Sequence, residues 1–365
     1  MSLTYQQSGV RYDAIDPIKK LAQAAARGTA ASLRRTGARE FSASRGESAY
    51  VWRQGGKIFA SVMEGLGTKN LVADAMYEKT GKSYYDIMAH DTVACIVNDL
   101  SSIGATPTVL HAYWATGSSD WFSDKKRALG LIRGWQKACK LAHVSWGGGE
   151  TPALAGIVAS DTIDLGGCAT GMIEKSSHLL SDKKLRANDR IILLKSNGVN
   201  ANGLTLARAV AKKLPKGYFT KLPNDKRYGD ALLTRSNIYS PLISHLLSRG
   251  VRIHYIANIT GHGLRKVMRA RPAFTYTIEK IFKPQPIFSF IQHATRLSDY
   301  EMYQTFNMGQ DYAIFVPKKD VAKTLRIIKT HGFTGLDAGY IQKGKRQVMI
   351  EPLNIVYSGD TLDIR

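Results

Sequence analysis

Apolar residues recur with helical spacing most clearly between residues 85 and 103. The stripe that they form predicts a buried helix, and its members are Val93, Ile96, Val97, Leu100 and Ile103. Asp91 and Asn98 lie seven residues apart, which places them together on a different face of this helix. Asp99 is next to Asn98 in the sequence. This polar face points either to solvent or to the loop that contains Glu64, and the pattern alone leaves both open.

The same spacing predicts helices at 14–32, 70–79, 123–142, 204–213, 228–248 and 319–331, with a kink or break in the fifth at Pro241. Short apolar runs predict strands at 57–63, 108–115, 161–173, 190–195, 251–260, 274–280 and 311–317, and in the region 340–350. The first of these runs pairs with 46–54 as a hairpin around Gly55 and Gly56.

The segment 61–69 combines the groups that bind a polyphosphate. Glu64, Gly65, Gly67, Thr68 and Lys69 follow a predicted strand and precede a predicted helix. Such a turn can bring backbone N–H groups, a cation and a carboxylate to one point, as a phosphate with its magnesium requires. An ordinary strand–turn–helix joint with Thr68 as a cap is the alternative, because a Gly-x-Gly pair is a weak signal.

Two more glycine-rich segments are candidates for backbone contact with a ligand. Residues 145–151 contain Gly148, Gly149 and Glu150, and we interpret them as a loop in which the backbone approaches another group closely. Residues 196–203 contain Asn202 and Gly203 between a strand and a helix, which favours an anion-binding turn over a plain loop.

Length and composition are those of a globular protein that is long enough for two domains, and the predicted strand at 161–173 ends the first half of the chain. The chain has 365 residues, of which 44% are hydrophobic and 22% are charged. No apolar run reaches the ~18 residues that span a bilayer. Three widely spaced cysteines argue for reduced thiols in a cytoplasmic protein. The Arg-rich and Ala-rich N-terminal segment is interrupted by acidic residues, so we interpret it as part of the mature protein.

The net charge of +22 attracts anions of every kind. Because the basic residues are spread along the whole chain, the sequence argues against a nucleic-acid-binding protein. The absence of a His-x-x-x-His pair argues against a zinc hydrolase. Gly81, Lys82 and Ser83 imitate the end of a Walker A loop, but Met76 stands where its first glycine is required, and no Rossmann glycine motif follows a strand.

Taken in order, the motifs resemble the phosphoribosylformylglycinamidine cyclo-ligase family, also called AIR synthetase. The similarity extends over nearly the whole chain and rests on these segments: 5–10 (Tyr-x-x-Ser-Gly-Val), 64–69 (Glu-Gly-Leu-Gly-Thr-Lys), Asp91 with 97–99 (Val-Asn-Asp), 113–117 (Tyr-Trp-Ala-Thr-Gly), 148–151 (Gly-Gly-Glu-Thr), 202–203 (Asn-Gly), 228–230 (Tyr-Gly-Asp), 259–261 (Ile-Thr-Gly) and 301–307.

The resemblance implies a two-domain α+β fold. A mixed-sheet N-terminal domain, residues 1–173, pairs with a second copy in a homodimer, and an α/β sandwich domain follows at 174–365. ATP lies near the twofold interface of this family. The implied reaction is the ATP-dependent closure of formylglycinamidine ribonucleotide to 5-aminoimidazole ribonucleotide, through a phosphorylated amide, in purine biosynthesis. The implied ligands are ATP and Mg²⁺, and no membrane partner is implied.

The resemblance also implies roles for individual residues. Glu64, Asp91 and Asp99 would hold magnesium, and Glu64, Asp91, Asn98 and Glu150 would be the catalytic residues, with Asn98 and Glu150 orienting substrate or metal. The remaining residues would contact the nucleotide or the ribose-phosphate end of the substrate: Gly65, Gly67, Thr68, Lys69, Gly148, Gly149, Asn202, Gly203, Thr260 and Gly261.

Four departures from the family pattern bear on the substrate. Glu64 replaces an aspartate, Asn200 stands where histidine is common, Asn258 and His262 flank the Thr-Gly turn, and Gln310 with Asp311 replaces a more apolar sequence. These changes leave open a related ATP-dependent enzyme that acts on a different amide or phosphate acceptor. A basic RNA-binding protein without activity is a third possibility, against which the phosphate-type loops argue.

Overall fold

A computed structural model describes residue 9 and residues 11–362. Most of the predicted motif at 5–10 therefore lies outside the described residues. The helices are α1 Tyr12–Gly28, α2 Asn70–Thr80, α3 Tyr85–Ser102, α4 Lys125–Ala142, α5 Leu204–Lys213, α6 Tyr228–Leu232, α7 Ser240–Ser248, α8 Pro286–Thr295, α9 Asp299–Thr305 and α10 Val321–Thr330. Short 3₁₀ turns occur between them, and one of these, Gly263–Met268, lies at the candidate site.

The strands are β1 Arg39–Glu40, β2 Tyr50–Gln54, β3 Lys57–Gly65, β4 Thr106–Thr116, β5 Ser145–Glu150, β6 Ile163–Ile173, β7 Arg190–Lys195, β8 Tyr255–Asn258, β9 Phe274–Ile278, β10 Gln310–Val316, β11 Gly335–Lys343, β12 Gln347–Ile350 and β13 Ile355–Ser358. They form two sheets, one from β1–β6 and one from β7–β13.

The first sheet has the strand order β1-β2-β3-β6-β4-β5. All its pairs are antiparallel except β4 with β5, and β2 and β3 form the predicted hairpin. One face packs on α3, which contacts β3, β4 and β6. Along β3, Ile58 and Ala60 are buried towards this helix, whereas Met63 on the opposite face is 71% exposed. The alternation is that of a sheet covered on one side only.

The second sheet has the order β13-β12-β9-β11-β7-β10-β8, and only β9 and β12 are parallel. Its central strands β7 and β10 are continuous apolar runs, as expected of strands buried on both faces. One hydrophobic core runs from the first domain into the second, and a separate core lies where α7 and α10 pack on β7, β8 and β10. The two sheets and their helices confirm the α+β fold that the sequence predicts.

The structure corrects two predicted elements. The predicted helix at 228–248 consists of α6 and α7, which are separated by an extended segment, 233–239. Pro241 lies in the first turn of α7, where its missing N–H costs nothing. The predicted loop at 145–151 is largely strand β5. The sequence analysis missed α8, α9 and β13, although the capping box of Ser298 and Glu301 marks the start of α9.

Among the described residues, no helix combines the length and the apolar character needed to cross a bilayer.

Candidate functional site

A cavity of about 470 Å³ lies between the two domains. Its lining includes Glu64 and Gly65 at the end of β3, Asp99 on α3, and Lys19 on α1. The second domain contributes Ala201, Asn202, Asn258, Thr260, His262, Lys266 and Arg269. This volume and the mixture of carboxylates, amides and cations are suited to a polar ligand of small-molecule size.

Glu64 and Asp99 come together at one wall of this cavity. Glu64 belongs to the face of β3 that packs on α3, and Asp99 lies on that helix, where its Oδ1 accepts a hydrogen bond of 2.7 Å from Asn258 Nδ2. Burial, together with the neighbouring charge of Asp99, raises the pKa of Glu64 to about 7. The Glu64 carboxyl group is therefore partly protonated near neutral pH.

The opposite wall carries the turn that follows β8. His262 and Gly263 both have positive φ, and a Cβ at Gly263 would lie 2.1 Å from the carbonyl oxygen of Tyr303. This close approach requires glycine. Burial, and then the charge of Lys266, lowers the pKa of His262 to about 3, so the imidazole is neutral at pH 7.

Two cations follow, Lys266 in the 3₁₀ turn and Arg269 directly after it, and no motif predicted either of them. Lys266 Nζ donates a hydrogen bond to Thr260 Oγ1, and burial with the neighbouring Arg269 lowers the pKa of Lys266 to about 8. Arg269 donates to the Gly46 carbonyl oxygen (2.7 Å) and to Ser48 Oγ (3.1 Å). The turn is thereby fixed to the first domain. The sequence indicates these two cations only by a Lys and an Arg that lie three residues apart after the glycine turn.

Lys69 and Asp91 form a buried ion pair, which corrects the roles predicted for both. Their side chains have 0% exposure, and Lys69 Nζ lies 2.5 Å from Asp91 Oδ2 and 2.9 Å from the Thr234 carbonyl oxygen. The second carboxylate oxygen of Asp91 accepts the Ser236 backbone N–H at 2.8 Å. Because both groups are satisfied within the protein, Lys69 is not placed to contact a phosphate and Asp91 is not placed to hold a metal.

The structure does not assemble the predicted magnesium site. Among the described residues there is no group of three His, Cys, Asp or Glu side chains that could hold a metal ion. Glu64 and Asp99 are together, but Asp91 is neutralised by Lys69. Magnesium prefers octahedral coordination by several oxygen ligands, and these side chains do not fit a protein-bound magnesium ion of the predicted three-carboxylate kind.

Asn98 connects the two domains and does not line the cavity. Its Nδ2 donates to the Asn237 carbonyl oxygen at 2.8 Å, and its Oδ1 accepts the Tyr239 backbone N–H at 2.8 Å. Asp91 and Asn98 thus share the predicted helix face, and that face contacts the segment 233–239. Solvent is therefore not the partner of this face. Asp91 does contact the segment that contains Glu64, through Lys69, whereas Asn98 contacts only the segment 233–239, and Asp99 lines the same cavity as Glu64.

Gly148, Gly149 and Glu150 lie on β5, outside the lining of the cavity. A Cβ at Gly149 would stand 2.1 Å from the Ala112 carbonyl oxygen, so the predicted close approach is that of the neighbouring strand. Glu150 is exposed, and its Oε1 accepts the Thr151 backbone N–H. The strand pairing explains Gly149, whereas Gly148 has a φ of +100° and no atom within 4 Å of an added Cβ.

The remaining predicted residues occupy the turns on both sides of the cavity. Gly67 has a φ of +73° between β3 and α2, with Thr68 half-buried beside it. Gly203 has a φ of +75° before α5, and a Cβ there would lie 2.1 Å from the ring of Phe306. Gly261 is half-buried next to Thr260.

Two of the departures from the family pattern contact each other. Asn200 Nδ2 donates to Asp311 Oδ1 at 2.7 Å, so that the change at one position accommodates the change at the other. Burial raises the pKa of Asp311 to about 6. Gln310 donates to the carbonyl oxygens of Phe282 and Met308, which is a structural role.

Two sequence families match the chain. Residues 46–173 match "AIR synthase related protein, N-terminal domain", and residues 186–351 match "AIR synthase related protein, C-terminal domain". The phosphoribosylformylglycinamidine cyclo-ligase of Methanosarcina barkeri is 33% identical over 270 residues, which cover 73% of this chain and 76% of that protein. The enzyme of the same name from Rippkaea orientalis is 29% identical over 299 residues, 80% of this chain and 84% of that protein.

Solved structures show the same fold at low sequence identity. The HypE–HypF complex contains a chain with a TM-score of 0.60 and 17% identity, with coverage of 87% of this chain and 93% of that one. HypE in complex with ATP gives a TM-score of 0.58 at 15% identity over 82% and 83% of the two chains. Together with the matched domains and relatives, the two-sheet fold confirms the resemblance: this chain belongs to the AIR synthase related family, with cyclo-ligases among its relatives.

Proposed function

We propose that this protein is a phosphoribosylformylglycinamidine cyclo-ligase, which converts formylglycinamidine ribonucleotide and ATP to 5-aminoimidazole ribonucleotide, ADP and phosphate. The cavity between the domains is the observation that carries the proposal. It brings Glu64 and Asp99 together with Asn202 and Thr260, four residues that the resemblance to this family singles out. A cytoplasmic location belongs to the proposal, since all three cysteines are free.

The reaction requires little covalent help from the protein. The amide oxygen of the substrate attacks the γ-phosphorus of ATP, and the bond to ADP breaks. The amidine nitrogen then attacks the activated carbon, the C–O bond to phosphate breaks, and the ring nitrogen loses its proton. Positioning of the reacting groups and neutralisation of their charges account for most of the reduction of the activation barrier in such a reaction. Glu64 and Asp99 are our candidates to receive the proton, and Thr260 and Asn202 to orient the ribonucleotide.

The test is product formation by the purified full chain. With ATP and formylglycinamidine ribonucleotide together, we expect one ADP for each aminoimidazole, the latter measured as an aryl amine by diazo coupling. Omission of either substrate should stop both signals. ADP release without aminoimidazole would contradict the proposal, and would favour the related enzyme that acts on a different acceptor.

We propose that the open face of the first sheet forms a homodimer. On this face Trp52 and Phe59 stack with ring centroids 5.6 Å apart, and Met63 and Cys168 are exposed. A continuous apolar patch on a sheet commonly marks an association surface.

We expect the protein to sediment as a dimer at micromolar concentration, and Met63→Asp to shift it towards the monomer because each interface then buries two unpaired carboxylates. Val356→Asp is the matched control, since Val356 is an exposed apolar residue on a strand of the second sheet. A monomeric parent protein, or a Met63→Asp variant that dimerises as tightly as the control, would contradict the proposed interface.

A further inference from the structure

A second cavity, of about 370 Å³, lies between the segment 174–189, which joins β6 to β7, and residues 247–254, which lead from α7 to β8. Five side chains in its lining are or can become positively charged, and they are His178, Lys184, Arg186, Arg252 and His254. Among the described residues that line it there is no carboxylate, whereas the cavity between the domains has Glu47, Glu64 and Asp99. A cavity with this excess of positive charge concentrates anions.

The side chains of two of these cations have no carboxylate partner in the part of the chain that the structure describes. Lys184 is half-buried, and its Nζ donates a hydrogen bond of 2.5 Å to the Ser177 carbonyl oxygen. Arg186 Nη1 donates to the carbonyl oxygens of Lys183 and Leu185, which leaves Nε and Nη2 for a ligand. Burial lowers the pKa of Lys184, as expected where no anion compensates for the lost hydration of an ammonium. An anion in the cavity would supply the missing partner.

Carboxylates outside the lining hold two of the other groups in position. Asp189 Oδ2 lies 2.7 Å from His254 Nδ1, so Nε2 of this imidazole is left for a ligand. Asp320 Oδ2 accepts a hydrogen bond of 2.9 Å from Arg252 Nε, so the two terminal nitrogens of the guanidinium are left as well. These contacts fix the donors before a ligand binds, which lowers the entropic cost of binding.

One side of the cavity is apolar. Leu247, Val251 and Ile253 belong to the core on which α7 packs, and their exposed fractions are 6%, 3% and 3%. The volume lies in the range of small-molecule sites, which combine apolar surface with a few polar groups. Phosphate oxygens suit the polar side, because they accept charge-assisted hydrogen bonds from ammonium and guanidinium groups. The apolar side suits an organic group attached to the phosphate.

We infer that this cavity is a binding site for a phosphate monoester. The phosphate would lie among Lys184, Arg186 and Arg252, and the organic group would pack against Leu247 and Ile253. Among the described residues, none lines both this cavity and the cavity between the domains. The inference therefore goes beyond the proposed reaction and does not depend on it.

The experiment is a calorimetric titration of the full chain, without nucleotide, with phenyl phosphate and separately with inorganic phosphate as the probes. We expect the parent protein to bind phenyl phosphate, and inorganic phosphate more weakly because it cannot contact the apolar side. Lys184→Met should weaken phenyl phosphate binding by about tenfold, since it removes a charged donor. Lys184→Arg keeps the charge and should retain binding. Lys183→Met is the matched control, because Lys183 is exposed and outside the lining, and it should stay within about twofold of the parent protein.

Lys184→Gln is the second variant if Lys184→Met does not fold, because glutamine can still donate to the Ser177 carbonyl oxygen. A parent protein that binds neither probe would overturn the inference. Phenyl phosphate that binds only in the cavity between the domains would be bound equally by the neutral Lys184 variants and by Lys183→Met, and this result would overturn it too. Equal affinity of the parent protein for both probes would refute the assignment of an ester.

Discussion

Lys69→Met is expected to destabilise the protein by about 3–5 kcal/mol, because it leaves the Asp91 carboxylate buried without its counter-ion. Both side chains of the pair have 0% exposure. The Ser236 N–H would be the remaining partner of Asp91. The free energy of unfolding, from urea titrations followed by tryptophan fluorescence, measures the effect.

Lys79→Met is the matched control, because Lys79 lies on α2, the helix that directly follows Lys69, and has an exposed side chain. We expect that control within about 0.5 kcal/mol of the parent protein. The double variant Lys69→Met with Asp91→Asn removes both charges and keeps an acceptor for the Ser236 N–H, so it should recover most of the lost stability. If Lys69→Met is as stable as Lys79→Met, the pair is not a structural element.

Glu64→Asp is expected to lower kcat for aminoimidazole formation by roughly 100-fold, because a displacement of about 1 Å in a reacting group can cost this much. The spacing between β3 and α3 places the longer glutamate side chain beside Asp99, and aspartate is one methylene shorter. Since no buried ion pair is broken, we expect the free energy of unfolding to stay near that of the parent protein.

Glu78→Asp makes the same change at an exposed position on α2 and should leave kcat unaltered. Comparison of kcat and KM for both variants, with saturating ATP, separates the outcomes. A Glu64→Asp variant with both constants unaltered would show that residue 64 does not contact the reacting groups.

Local sequence patterns predicted many of the helices and strands. Contacts between segments distant in sequence explain the elements that were predicted wrongly. The apolar run of β7 and the helix after Gly203 are predicted with their observed bounds, because their own residues determine them. β5 contains three glycines, and glycine disfavours strands. At Gly149 the neighbouring strand lies too close for any side chain, so the pairing itself requires glycine. The local sequence pattern carries no information about this distance between strands.

The candidate site was predictable to the extent that motifs place residues at the ends of elements. Glu64, Gly65 and Asn202 line the cavity, as expected of the turns in which they lie. The partner of a buried carboxylate could not be predicted in this way, because it comes from chain segments that are far away in sequence. Asp91 is paired with Lys69 and receives the N–H of Ser236, 145 residues further along the chain. Lys266 belongs to no motif, and only the fold brings it into the cavity that Glu64 and Asp99 also line.

The contact between α3 and the segment 233–239 sets different limits on substitutions and on changes in chain length. Five hydrogen bonds join side chains of the first domain to main-chain atoms of this segment: Lys69 to the Thr234 carbonyl, His90 to the Ser236 carbonyl, Asp91 to the Ser236 N–H, and Asn98 to the Asn237 carbonyl and the Tyr239 N–H. Because these five bonds are to backbone atoms, the residues at 234 and 236 can change during evolution while the path of the chain cannot; Tyr239 is fixed separately, since its hydroxyl donates to Asp311. A single inserted or deleted residue would shift several of these bonds at once, and homologues should vary here in sequence far more than in length.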